Sequence, residues 1–382
     1  MKRALHILPR LWIITGLCAW LLVFSLPLTP RMAVAAQGCE APAPVCAWMA
    51  RIVGIKTPNM IASGTVIGDG FIITNHHVAE DHPQLLTRDQ EGAIQAARPL
   101  PHPVEVDLAM LRVEEGEGLP GAISPMQTAT PQQLWVVGFD QGRNGPRVYQ
   151  PASWARYPAE GASTRARIHT DARALPGNSG GAVVDRDGNL IGILASGDGR
   201  ISEVIPAAHI RSVMAASSAD HLDEFRRTGK AIRDCADALY DAASVARDPS
   251  AQMVQVIEQA CAASGNKQLF DQAGQTFGRW WMFARSRQFL ERSLEIDPNS
   301  PNTLMSMAVT LHLDRDLAAE LPILKRYLKI DPSNPQALRM AVQVAGTQGD
   351  RAFADEVLGL MRRHNPAAIP LAESFLKQAF GD

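Results

Sequence analysis

The sequence predicts a multidomain chain, β in its first part and α in its second. Three observations carry this. Between residues 48 and 217, short apolar runs alternate with Gly- and Pro-rich turns, the pattern of many short strands. From Ala219 on, glycine and β-branched runs thin out and apolar residues fall at helical spacing. Finally, Asp297-Pro298-Asn299-Ser300-Pro301 recurs as Asp331-Pro332-Ser333-Asn334-Pro335, and Asn365-Pro366 follows. Pro298, Pro332 and Pro366 thus stand 34 residues apart, a spacing of repeated helix pairs.

A length of 382 residues predicts two or three domains. The formal net charge is −2 with charges spread along the chain, which leaves no basic patch and no nucleic-acid motif. Residues 1–36 read as a signal peptide. Lys2, Arg3 and Arg10 form a positive start, Leu11 to Leu28 carries no charge, and Ala33-Val34-Ala35-Ala36 offers a small-residue cleavage site. Pro27 and Pro30 favour cleavage; the alternative is an uncleaved anchor in the inner membrane. The expected location is periplasmic or secreted, with no membrane contact after cleavage. Cysteine usage agrees with export. Beyond Cys18, the chain holds Cys39, Cys46, Cys235 and Cys261, an even number suited to two disulfides. Of three connectivities, the local one, Cys39–Cys46 with Cys235–Cys261, is expected. No Cys-X-X-Cys is present, so no zinc site and no other metal or cofactor is expected. Residues 37–47, rich in Ala and Pro, read as a linker.

The chemistry concentrates in three stretches. Residues 174–184 read Ala-Leu-Pro-Gly-Asn-Ser-Gly-Gly-Ala-Val-Val. Pro176 and Gly177 set a turn before Ser179, and Gly180 and Gly181 allow close backbone approach. A serine on such a turn can present its hydroxyl to a base, with neighbouring N–H groups aimed at a developing oxyanion. Residues 61–80 read as an apolar hairpin around Gly68-Asp69-Gly70, with His76 and His77 at the end of its second strand. In Val104-Glu105-Val106-Asp107-Leu108-Ala109-Met110-Leu111, Asp107 sits in an apolar strand, where a carboxylate is costly unless paired. A His Nδ1–H is the partner a triad supplies.

Taken together, Thr74-Asn75-His76-His77-Val78, Asp107-Leu108-Ala109 and Thr170-Asp171-Ala172, followed three residues later by Pro176-Gly177-Asn178-Ser179-Gly180-Gly181, resemble the trypsin-like serine peptidases of the HtrA/DegP type. The resemblance covers roughly residues 48–215. It implies a double six-stranded β-barrel with the site in the cleft between the barrels. It also implies Ser179 as nucleophile, His77 as general base and then acid, Asp107 orienting the imidazole, and an oxyanion hole from the N–H groups of Gly177 and Ser179. His77, not His76, immediately precedes the valine, as the family histidine does. His76 is expected on the opposite side of the strand as a surface or packing residue. The family's PDZ domains have no counterpart in the pattern of this chain. Arg173, six residues before Ser179, is weighed as a pocket residue and as a solvent-facing loop arginine.

Elsewhere in this half, residues 81–103, with Pro83, Gly92, Pro99, Pro101 and Pro103, read mostly as loop or edge strand. Leu134 to Phe139 reads as a buried strand and Asp140 to Pro146 as an exposed loop. Asp185 to Gly188 reads as a hairpin turn, residues 195–200 as a loop, Ser202 to Pro206 as the last strand and Ala207 to Ala216 as a closing helix.

The expected domains are 48–217 for the protease, 218–265 for a helical hairpin stapled by Cys235 and Cys261, and 266–382 for the repeats. In the hairpin, Ala219 to Ala246 and Gln252 to Ala262 form helices broken at Asp248-Pro249-Ser250. The repeats, about 267–300, 301–334 and 335–368, with Leu371 to Phe380 as a cap, resemble the TPR family, and the resemblance implies a helical solenoid. Glu320 and Val342 stand where that family has small residues, and Pro322 interrupts a second helix. Trp280 and Trp281 are candidates for a groove, with core packing the blander assignment. The expectation is an exported serine endopeptidase acting on proteins or peptides, with a protein partner or substrate recruited by the TPR-like groove. The alternative is a silent trypsin-like domain that, with the repeats, serves as a protein-binding scaffold.

Overall fold

The computed structural model describes residues 39–381 apart from 59, 69, 114–129, 160 and 198. The proposed signal peptide lies outside the described residues. Among those described, no helix is long and apolar enough to cross a membrane.

The expected linker is ordered. A helical turn, α1 (Ala43–Cys46), runs into a 3-10 turn (Ala47–Arg51). Cys39 and Cys46 are disulfide-bonded, Val45 is buried, and Trp48 Nε1 donates to Gly188 O at 2.9 Å. Apolar Val45 and Trp48 make this segment part of the β-domain core, which the Ala/Pro composition concealed.

Six strands follow: β1 (Ile52–Lys56), β2 (Ile61–Gly68), β3 (Phe71–Thr74), β4 (Leu85–Arg88), β5 (Ile94–Leu100) and β6 (Ala109–Val113). Between β3 and β4 lies the one-turn helix α2 (His76–Ala79). The strands close into a barrel in the order β1-β2-β3-β6-β5-β4. Within residues 81–103, β4 and β5 are barrel strands and the remainder is turn or irregular, and Pro99 lies within β5 opposite Leu111. Barrel closure overrides the turn signal of the prolines.

The next seven strands are β7 (Trp135–Asp140), β8 (Gly145–Val148), β9 (Ala155–Arg156), β10 (Ile168–Thr170), β11 (Ala182–Val184), β12 (Leu190–Gly197) and β13 (Ser202–Pro206). They form one sheet in the order β8-β7-β11-β12-β13-β10-β9. Its side chains alternate between two cores. Trp135, Val137, Phe139, Ala182 and Val184 pack with Ile52, Ile73 and Met110 of the barrel, while Val136, Val183, Ile191 and Val204 form a second cluster. Of the stretch 140–146 expected as an exposed loop, 141–144 form the exposed turn of a β7–β8 hairpin and the flanking residues belong to its strands. β12 also continues through Ala195 to Gly197, where a loop was expected. Helix α3 (Ala208–Ala216) follows β13.

The remaining helices are α4 (Leu222–Ala242), α5 (Ala251–Ser264), α6 (Lys267–Arg279), α7 (Phe283–Ile296), α8 (Pro301–Leu313), α9 (Leu317–Leu328), α10 (Pro335–Gln348), α11 (Arg351–His364) and α12 (Ile369–Phe380). Cys235 and Cys261 are disulfide-bonded, joining α4 to α5. The sequence period reappears as geometry: α6, α8 and α10 begin at Lys267, Pro301 and Pro335, and α7, α9 and α11 at Phe283, Leu317 and Arg351, 34 residues apart in both series. Side-chain caps from Asn266, Ser300, Asn334, Asp316 and Asp350 start five of these helices.

Two expectations for the repeats change. Helix α9 runs unbroken through Pro322, its sixth residue, with the loss of the one backbone bond that an N–H there would make to Ala318 O. Glu320 is fully buried, with its carboxylate 3.0 Å from His312 Nδ1 of α8. The two tryptophans part company. Trp280 is core and donates to Val245 O, whereas Trp281 is exposed under the Arg247 guanidinium.

Candidate active site

Strand pairing brings the first two site residues together. β3 and β6 are neighbours, with Thr74 opposite Ala109. The chain leaves β3 at Thr74 and enters β6 at Ala109, so His77 and Asp107 meet at one end of that pair. His77 sits on α2 and not on a strand, and Asp107 precedes β6 instead of lying inside it. Placing both residues at strand ends is what lets their side chains converge. His77 Nδ1–H donates to Asp107 Oδ2 at 2.8 Å, and the His77 backbone N–H donates to Oδ1 at 3.0 Å. Asn75 Nδ2 holds the Asp107 carbonyl at 3.0 Å.

Asp107 is buried. Burial alone would raise its pKa, but the charge and hydrogen bonds of His77, with the Arg167 guanidinium, hold it at about 2. The carboxylate is thus ionised at neutral pH. The Nδ1 proton stays on His77, leaving Nε2 as the free basic position. Arg167 Nη2 lies 3.7 Å from Asp107 Oδ2.

Ser179 lies in the turn between β10 and β11, and the first barrel clamps that turn. Ser63 N–H donates to Ser179 O, Ser63 Oγ to Gly177 O and Thr65 Oγ1 to Gly180 O, each at 2.8 Å. Gly180 has φ +86°, and a Cβ there would stand 2.0 Å from Ser63 O, so the approach admits only glycine. Asn178 is buried; its Nδ2 donates to Phe139 O and Tyr149 Oη, and its Oδ1 accepts from Leu175 N–H. Gly177 has φ +99°, with the Gln141 amide packed against it. Among the described residues, neither the Gly177 nor the Ser179 N–H has a hydrogen-bond partner. Ser179 Oγ donates to Ala195 O at 3.1 Å, and no hydrogen bond joins it to His77.

His76 faces neither serine nor solvent. It is buried and stacked on Phe225 of α4, with ring centroids 4.1 Å apart, and burial lowers its pKa to about 4. Arg173 is exposed. Sequence reasoning missed Ser63, Thr65, Asn178 and Arg167. The available signal was a pair of hydroxyls, Ser63 and Thr65, in an apolar strand, where a buried polar group demands a partner.

A barrel and a sheet that share a core, with a hydrogen-bonded His77–Asp107 pair on one and a glycine-bracketed serine on the other, define a trypsin-like peptidase domain. Residues 62–193 match the family model of the trypsin-like peptidase domain. The chain is 27% identical over 224 residues to a probable periplasmic serine endoprotease DegP-like of Ectopseudomonas mendocina (strain ymp), covering 55% of this chain and 46% of that protein. It is 30% identical over 139 residues to the serine endoprotease DegS of Salmonella typhimurium (strain 14028s / SGSC 2262), covering 35% of this chain and 38% of that one. Among solved structures, the HtrA-type protease AlgW with tripeptide matches at 28% identity and a TM-score of 0.39, covering 45% of this chain and 62% of that chain. The chain spans about half the length of the curated relatives it matches. It carries a trypsin-like peptidase domain with HtrA-type relatives, followed by a helical region.

Proposed function

We propose that the chain is an exported serine endopeptidase that cleaves protein substrates with Ser179, His77 and Asp107. The observation that carries this reading is the 2.8 Å bond from His77 Nδ1 to an ionised, buried Asp107 beside the clamped serine turn. In the reaction, Ser179 Oγ leaves Ala195 O and attacks the scissile carbonyl while His77 Nε2 takes its proton. Asp107 stabilises the imidazolium and stays ionised. The unpartnered N–H groups of Gly177 and Ser179 receive the oxyanion. The imidazolium then protonates the leaving amine, and water activated by His77 frees the acyl group. The protein's own groups carry every step.

The alternative, a silent binding domain, draws on the Ser179–Ala195 bond, which commits the hydroxyl proton to a carbonyl instead of to His77. Fluorophosphonate labelling of the full chain decides between them, with Ser179→Ala and His77→Ala as controls. Labelling lost in both variants supports the peptidase; no labelling of the parent, alone or with unfolded protein present, overturns it. The periplasmic relatives and the two disulfides favour an exported location.

In the same reading, the TPR-like helices recruit the substrate or a partner. Open grooves between α4 and α6, beside exposed Tyr240, and between α8 and α10, beside Arg339, support it. Tyr240→Ala and Arg339→Ala should then raise KM for an unfolded protein and leave a short peptide substrate unaffected. Equal effects on both substrates would remove the recruiting role.

A further inference from the structure

A cavity of about 190 Å³ lies behind Asp107, between the β-domain and the helices. Its walls include His102, Arg167, Thr228 of α4 and the amino end of α6, together with the carboxylates of Glu105, Asp107 and Glu224. Apart from Asp107, no residue of the proposed reaction lines it.

Unsatisfied polar atoms gather on this wall. Arg167 is 5% exposed, yet its Nε and Nη1 have no hydrogen-bond partner. A guanidinium only donates, so what it lacks is an acceptor. Asp107 does not serve: its Oδ2 is 3.7 Å from Nη2 and already accepts from His77. His102 Nδ1, on the same wall, makes no hydrogen bond of good geometry, although the Val104 backbone lies close to the ring. Its Nε2 lies 3.0 Å from Leu108 O, a group that only accepts, so Nε2 carries the proton of the neutral ring and Nδ1 offers a lone pair. Burial lowers the His102 pKa, in keeping with the neutral form. The wall therefore asks for a molecule with acceptors for Arg167 and a donor for His102. A carboxylate supplies only acceptors. Hydrogen phosphate supplies both, carrying charged oxygens and a P–OH. The amino end of the 13-residue α6 favours the same charge. Lys267 Nζ is already committed to Glu203, Asp271 and Ser300, and Glu105 on the rim faces Arg165 at 3.7 Å.

We propose that this cavity is a binding site for a phosphate-class oxyanion, either inorganic phosphate or a small phosphate monoester, held by Arg167, His102 and the amino end of α6. The proposal does not depend on the peptidase reading, and its test uses the Ser179→Ala chain, which removes self-cleavage.

The test is thermal unfolding of that full-length chain in sodium phosphate, glycerol phosphate, acetate and chloride at equal ionic strength near neutral pH. Phosphate should give a saturable rise in Tm of about 2–4 °C, which acetate and chloride do not reproduce. A larger rise with glycerol phosphate assigns the site to a monoester, and a rise with phosphate alone assigns it to the free ion. Arg167→Gln should abolish the rise. Because that residue neighbours Asp107 and its loss could disturb folding, Thr228→Trp, which fills the cavity from α4, is the second variant, with far-UV circular dichroism reporting the fold. The proposal is overturned by an unsaturable shift shared with chloride, by an equal shift with acetate, or by a phosphate shift that survives Thr228→Trp.

Discussion

His169 Nε2 of β10 donates to Asp297 Oδ2 at 2.7 Å, joining the β-domain to the corner between α7 and α8. The same carboxylate oxygen accepts from the Arg167 backbone N–H at 3.2 Å. Asp297 opens the first Asp-Pro repeat corner. The corresponding residue of the next corner, Asp331, meets Arg200 at 3.2 Å. Between them lies a buried Lys267–Glu203 pair at 2.8 Å, in which Lys267 also meets Asp271. The repeat corners are thus fastened to the β-domain by charge, and one of those fastenings ends on the backbone of Arg167, which neighbours Asp107.

Removing this fastening should cost stability. Asp297→Ala leaves the His169 ring and the Arg167 N–H buried without an acceptor, a loss of about 2–4 kcal/mol. Urea unfolding of the parent and the variant measures it. A midpoint unchanged within error would show that the contact carries no weight.

The serine turn should tolerate no side chain at Gly180. A Cβ there meets Ser63 O at 2.0 Å and Thr74 Oγ1 at 2.4 Å, in a backbone conformation that L residues rarely adopt. Gly180→Ala should lower the rate of fluorophosphonate labelling by about 100-fold, because displacement of the turn misplaces the reacting oxygen. Labelling at the parental rate would mean that the clamp to β2 does not position Ser179.

Stability should fall as pH rises from 4.5 to about 7 because of Glu80. Burial, reinforced by the charge of Asp237, raises its pKa from 4.5 to about 7. The folded chain therefore binds the proton more tightly than the unfolded chain. This contribution is complete below 4.5 and is lost as pH rises through about 7. Glu80→Gln stays neutral throughout. It should match the parent near pH 5 and exceed its Tm near pH 8, and parallel Tm curves would contradict the assignment.

The two disulfides should differ in weight. Loop closure gives about 3.5 kcal/mol for Cys235–Cys261, with a separation of 26, and about 2.4 kcal/mol for Cys39–Cys46, with a separation of 7. Paired Cys→Ser variants, unfolded in urea, should show the larger loss for the α4–α5 staple. The reverse order would point to docking of the segment around Val45 and Trp48 as the dominant effect.

Local patterns in the sequence determined a good deal. The 34-residue spacing of Pro298, Pro332 and Pro366 located three helix pairs, because a helix-breaking corner is set by the residues within it. Gly177, Gly180 and Ser179 announced a tight turn for the same reason. The hairpin around Gly68 and Gly70 was equally legible.

Other features depended on partners distant in the chain. Pro99 and its neighbours read as loop or edge strand, and only the pairing of β5 with both β4 and β6 in a closed barrel made them an interior strand. His76 gave no sign of the Phe225 ring 149 positions away, and Asp297 none of His169. The hydrogen bond of the Ser179 hydroxyl to Ala195 O is set by tertiary contacts. Turn chemistry and helical period act over a few residues and can be read in order along the chain. Burial and the pairing of polar groups depend on which distant segments share a core, and for this protein only the tertiary structure decided them.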